Sequence, residues 1–180
     1  MKKYQIIYAD PPWRYDFSET DSRAIENQYP TMSVEDICAL PVPSEKDSVL
    51  YLWATAPKLL EALNVMKSWG FEYKTHAIWD KGIMGMGYWF RGQHELLLIG
   101  TKGHFSPPEE QYRISSVMKQ QRSNHSSKPD AIRLLISEWY PKATKLEMFA
   151  RENKTSLFME NNWDIWGNEV KSDIELAPKI

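Results

Sequence analysis

The tetrad Asp10-Pro11-Pro12-Trp13 ends the apolar run Tyr4-Gln5-Ile6-Ile7-Tyr8-Ala9, so a buried strand stops on a carboxylate, two rigid residues and a large ring. Each proline holds φ near about −65° and donates no N–H, which fixes the backbone beside the acid and leaves carbonyls to face a ligand. Such a group suits one task well. An amine conjugated with a heterocycle is a poor nucleophile, because its lone pair is delocalised into the ring. A carboxylate and a carbonyl that each accept one of its N–H groups favour a more tetrahedral nitrogen and stabilise the positive charge that grows there. Trp13 adds a face on which a flat base stacks. A plain proline turn with Trp13 capping the core would not call for an acid at the same place.

Other polar groups fall where a second ligand could lie across the same strand ends. Ser127-Lys128-Pro129 presents an ammonium at a helix start, a partner for a carboxylate. Glu147 and Arg151 bracket the end of a strand, and Asn168-Glu169 follow Gly167, which permits close approach. Singly these are a surface lysine, an ordinary ion pair and a turn; their meaning lies in the combination. The densest basic stretch, Lys119 to Lys128 with Arg122 inside it, is polar and without apolar period, and reads as a loop that contacts phosphate.

Holding these groups in place requires strands that alternate with helices. Tyr4–Ala9 is the first strand, and the polar stretch 14–30 after the tetrad has the length of a lid or binding loop. Ser33 with Asp36 starts a short helix through Leu40, which Pro41-Val42-Pro43 ends. The continuous apolar run Val49–Trp53 reads as a strand covered on both faces. A helix follows from Pro57, with Leu59, Leu63, Met66 and Trp69 at helical spacing and Gly70 at its end. Tyr73–Trp79 and Glu95–Ile99 are two more strands. The glycine-rich stretch between them, whose glycines match no phosphate-cradling pattern, is an exposed flap or a subunit interface. Pro129 opens a helix with the stripe Ile132, Leu135, Ile136, Trp139; strands at 145–149 and 163–168 complete the series. The expectation is α/β: a doubly wound, mostly parallel sheet with helices on both faces. Residues 1–171 form one domain and 172–180 a loose tail.

Composition narrows the classes. With a single cysteine, Cys38, and four histidines without ligand spacing, no internal disulfide and no metal site are expected. No apolar stretch is long enough to span a bilayer, no signal sequence is expected at Met1-Lys2-Lys3, and a cytoplasmic protein is expected. The net charge of −2 means that any contact with a polynucleotide has to be local. A nicotinamide-binding reading fails because no Gly-x-Gly-x-x-Gly follows the first strand.

Taken in order, the blocks Tyr8-Ala9-Asp10-Pro11-Pro12-Trp13, Tyr29-Pro30-Thr31-Met32-Ser33, Leu52-Trp53-Ala54-Thr55, Trp69-Gly70-Phe71, Gly87-Tyr88-Trp89, His94-Glu95, Lys128-Pro129, Glu147 to Arg151 and Trp163 to Val170 resemble the adenine-N6 methyltransferase family that includes the catalytic subunit of the eukaryotic mRNA N6-methyladenosine writer, with bacterial and phage relatives. The resemblance covers about Tyr4 to Val170. It implies S-adenosylmethionine as cofactor and a Rossmann-like fold in permuted order, with the catalytic half before the cofactor half. It further implies that Asp10 and the Pro11 carbonyl, with Pro12, hold the target amine, that Trp13 flanks the base, and that Lys128 meets the cofactor's carboxylate. Arg151, Asn168 and Glu169 would hold its ribose region and Glu147 would support its strand, with Asp10 facing cofactor as well as base. Trp13, Arg14, Tyr15, Arg91, Lys119 and Arg122 are the expected nucleic-acid contacts. The segments from Arg14 and before Lys128 match the family's gate loops, and the flap matches its interface loop, so self-association through 82–90 is one expectation. The compact form is similar to the DNA-modifying members, which favours DNA over RNA; a catalytically silent binding subunit is the reading from another class, against which the intact tetrad stands.

Overall fold

A computed structural model describes residues 2–15, 30–121, 128–151 and 162–176. The described chain forms β1 (Tyr4–Ala9), α1 (Val34–Ala39), β2 (Ser44–Ala54), α2 (Leu59–Ser68), β3 (Glu72–Asp80), β4 (His94–Lys102), β5 (Val117–Lys119), α3 (Asp130–Trp139), β6 (Lys145–Met148) and β7 (Trp163–Trp166). The strands make one sheet in the order β5-β3-β4-β2-β1-β6-β7. None of the described helices is long and apolar enough to cross a membrane.

β1 enters in the interior of the sheet and is paired in parallel with β2 on one side and β6 on the other. On one side of β1 the sheet holds β2, β4, β3 and β5, all laid down before the chain returns to add β6 and β7 on the other. The direction of winding therefore reverses at β1, and Asp10 follows its last residue. Such a switch point leaves a crevice beyond the carboxyl ends of the strands. This is the α/β architecture expected, with the tetrad on the first strand and the remaining polar groups on the strands added last.

Alternation along β1 splits its side chains between two cores. Ile7 and Ala9, with Leu50, Leu52 and Met148, face α1 and α2 through Ile37, Ala62, Val65 and Met66. Ile6 and Tyr8, with Val49, Tyr51 and Trp53, face α3 through Ile132 and Ile136. Both faces are thus covered, and that is why β2 reads as an unbroken apolar run; each such side chain contributes about 1.5–3 kcal/mol by leaving water. Ser33 caps α1 by accepting the Asp36 N–H at 3.1 Å. Gly70, at φ 81°, ends α2 in the left-handed conformation that favours glycine.

Three details depart from expectation. β4 is antiparallel to both β2 and β3, because 81–93 returns as a hairpin with no helix to carry a parallel crossover. β5 is a three-residue edge strand on β3, too short to show a period. Residues 172–176 are not loose: Ser172 accepts the Gly167 N–H, Asp173 accepts the Ile165 N–H at 2.9 Å, and Leu176 is buried. Hydrogen bonds to residues five and eight positions back, and the packing of Leu176 into the core on the α1–α2 side, hold this segment.

Candidate active site

Asp10 lies between two cavities and forms part of the wall of each. One, of about 190 Å³, is lined by Asp10, Pro11, Trp13, Tyr15, Trp53, Ala54, Thr55, Glu95, Lys128 and Arg151. The other, of about 220 Å³, is lined by Asp10, Pro12, Pro30, Met32, Phe149, Ala150, Arg151, Trp166, Gly167, Asn168 and Glu169. The ends of β1, β2 and the start of β4 supply the first; the ends of β1, β6 and β7 supply the second. A larger cavity of about 560 Å³ opens between α3 and the β2–β4 face, but its walls contain no carboxylate and none of the strand-end groups.

Charge at the first cavity is organised as a chain. Lys128 Nζ stands 2.8 Å from the Asp10 carboxylate and 3.3 Å from Glu95, and Glu95 also accepts from Lys81 Nζ at 3.2 Å. Burial alone would lower the Lys128 pKa, but the charges of Asp10 and Glu95 outweigh it and raise the value above that of an ordinary lysine. Lys128 stays charged at any physiological pH. Its ammonium also sits 5.7 Å from the Trp53 ring centre, a cation–π contact, while Trp53 Nε1 donates to the Tyr8 hydroxyl at 2.7 Å. The acid at the mouth of the cavity is thus held in one orientation by a half-buried cation.

The tetrad is tied down by its own backbone. Pro11 O accepts the Trp13 N–H and Pro12 O accepts the Met32 N–H, both at 2.9 Å. Each carbonyl keeps a second lone pair, so Pro11 retains one for a ligand. Trp13 differs from expectation: only 4% of it is exposed, and its Nε1 donates to the Trp53 carbonyl. The ring belongs to the core and serves the cavity as wall instead of as an open stacking face. Tyr15 is half-buried and lines the cavity, with its hydroxyl 2.7 Å from Thr55 Oγ1 and Lys58 Nζ 5.4 Å from its ring centre.

In the second cavity Arg151 approaches Glu169 at 3.9 Å, beside Asn168. Phe149 has φ 63° and packs its ring edge-on against Trp166, 5.4 Å between centres. A non-glycine residue in the left-handed region is uncommon and collects at binding sites. Gly167 is required for closeness, since a Cβ there would lie 2.2 Å from the Ala150 carbonyl oxygen. Phe149 had no assigned role in the sequence, although its place between Glu147 and Arg151 at a strand end was a usable signal. Glu95 and Thr55 were visible only as parts of longer blocks.

Glu147 lines neither cavity. It points to the α3 side and pairs with Arg133 at 2.5 Å, and burial raises its carboxyl pKa against the lowering effect of that cation. The pair locks α3 to β6, and through α3 it places Lys128 just ahead of that helix. Arg14, bonded to Thr31 at 3.5 Å, also lines neither cavity. Arg91 and Lys119 stand exposed on the β3–β4 hairpin and at the end of β5. Arg122 lies outside the described residues, as do most of the two expected gate loops.

The MT-A70 family model matches residues 4–169. The Type II methyltransferase M.MunI of Mycoplasma sp is 34% identical over 94% of this chain and 78% of that protein. The N(6)-adenosine-methyltransferase MT-A70-like protein of Drosophila melanogaster is 28% identical over the whole of this chain, and its Arabidopsis thaliana counterpart 28% over 93%. The chain spans 29% and 24% of those two proteins. The matched stretch takes in every residue of both cavities, and the chain belongs to the MT-A70 family.

Proposed function

We propose that this protein methylates the N6 amine of adenine in DNA, with S-adenosyl-L-methionine as methyl donor. The observation that carries this reading is the place of Asp10, a single carboxylate walling two adjoining cavities, one for a base and one for a nucleoside-like cofactor. The donor set of the second cavity fits that cofactor. Asn168 and Glu169 suit ribose hydroxyls and Asp10 an α-ammonium, while Lys128, which lines the first cavity 2.8 Å from Asp10, suits a carboxylate reaching past that residue. When bound, the cofactor supplies an electrophilic methyl carbon attached to a good leaving group.

The protein's own part is alignment. Asp10 and the Pro11 carbonyl accept the two N–H groups of the amine and turn its lone pair out of the ring plane. Lys128 fixes the Asp10 carboxylate, and Glu95 fixes Lys128. Tyr15 and the wall formed by Trp13 and Trp53 confine the base. Asp10 need not act as a strong base, because the amine becomes acidic only as its fourth bond forms. An adenine in duplex DNA has to leave the stack to reach this site.

DNA is favoured by the match to M.MunI over most of both chains. RNA is the second reading, favoured by the relatives named as N(6)-adenosine-methyltransferases. Transfer of labelled methyl to matched single-stranded DNA, duplex DNA and RNA, followed by nucleoside analysis, decides. N6-methyladenine in DNA is the expected product; label confined to RNA, or on another nucleoside, overturns the assignment.

A further inference from the structure

The β3–β4 hairpin is an arm. Its base is built: Lys81 N–H donates to Gln93 O at 2.9 Å and Gly85 N–H to Gly92 O at 2.7 Å. Asp80 receives Gly82 N–H and Gln93 Nε2, and Arg91 Nε ties one leg to the other through Gly85 O at 2.9 Å. At Gly87 the legs close so tightly that a Cβ would lie 2.0 Å from the Phe90 carbonyl oxygen. Beyond this anchored neck stand Tyr88, Trp89 and Phe90, exposed to 94%, 95% and 91%. Three adjacent rings in water are costly, and an ordered neck that presents them implies a partner.

Position and charge say which. β3 ends and β4 begins at the sheet edge where Asp10 lies, and the first hairpin residue, Lys81, shares Glu95 with Lys128 of the catalytic cavity. β4 is two strands from β1, about 10 Å, the length of roughly three stacked nucleotides. From Lys81 to Gln93 the arm has two basic residues and no acidic one, in a chain of net charge −2. A two-fold contact with the arm on its axis would set arm against arm, like charge to like, with no carboxylate in either to pair them. A polyanion carrying flat rings satisfies both properties.

We propose that the arm is a nucleic-acid contact in which Tyr88, Trp89 and Phe90 stack on bases near the extruded adenine while Arg91 meets a neighbouring phosphate. An aromatic tip would also fill the gap that an extruded base leaves. The proposal rests on nucleic acid being the substrate, and its test is one of binding, so that it fails separately from the catalytic reading.

The probe is a fluorescein-labelled 30-base-pair duplex of mixed sequence, titrated by anisotropy with wild-type protein and with Tyr88→Ser/Trp89→Ser/Phe90→Ser. The three rings lie outside the core, so the variant folds. Its affinity is expected to fall at least tenfold with sedimentation unchanged, and Arg91→Ala should lower the slope of log affinity against log salt by about 1. Equal affinities, no binding by either protein, or a wild-type dimer that the variant splits would overturn the assignment. If the variant loses binding while the wild-type protein puts no methyl into DNA, the arm stands and the substrate reading falls.

Discussion

Asp10 contributes one carboxylate to two cavities, and the cost of keeping a charge there is offset by Lys128. A half-buried pair of this kind is of little use as a source of stability, but removing one member leaves the other uncompensated. Asp10→Ala is therefore expected to lower methyl transfer at least about 10²-fold, as loss of a transition-state contact does, while cofactor binding remains measurable by calorimetry. Turnover at the wild-type rate would remove Asp10 from the chemistry. On the proposed reading Lys128 and Glu95 act one step back, as positioning residues for that carboxylate.

Elements meet at the second cavity through Gly167. The end of β7 lies so close to Ala150 that a Cβ at 167 would collide with backbone carbonyl and amide, at 2.2 and 2.8 Å, neither of which can swing aside. Gly167→Ala should then part β6 from β7, costing about 1–3 kcal/mol, seen as a lower urea midpoint. Because both segments wall the cavity proposed for the cofactor, the KM for methyl donor should rise several-fold with kcat little changed; an unaltered KM would show that the wall tolerates the shift. β4 illustrates the same level of organisation: its reversal puts Glu95 at the catalytic edge, which a parallel strand in that slot would have reached only with its last residue.

Across the whole molecule, the first and last strands are joined by charge. Asp164 of β7 accepts from Lys2 Nζ at 2.7 Å and from the buried Tyr4 hydroxyl, spanning β6 between them. Burial would raise the Asp164 pKa, but the Lys2 and Tyr4 hydrogen bonds and the Lys2 charge bring it below its ordinary value of 3.8. A depressed carboxyl pKa stabilises the fold above the unfolded value and ceases to do so as pH falls through the folded one. Asp164→Asn is thus expected to cost about 1 kcal/mol at pH 7, the difference between charged and neutral hydrogen bonds. The gap between urea midpoints of variant and wild type should begin to close as pH falls below about 3.8 and be gone once pH is below the depressed folded value; a gap independent of pH would mean that the charge has no part in it.

The alternation of strands and helices, the apolar runs that demand a two-sided sheet and the acid-proline-aromatic strand end are local patterns, and the sequence alone determined them, because periodicity and backbone stiffness act over a few residues. The placing of Lys128 just ahead of a helix and of Arg151, Asn168 and Glu169 just past strand ends was legible in the same local way. Only the tertiary structure decided that Trp13 is wall and Tyr15 the accessible ring, that Glu147 serves α3 and not the cavities, that Glu95 joins two lysines, and that residues 172–176 are held. Each of these depends on which groups from distant segments share one small volume, and neither propensity nor spacing encodes that.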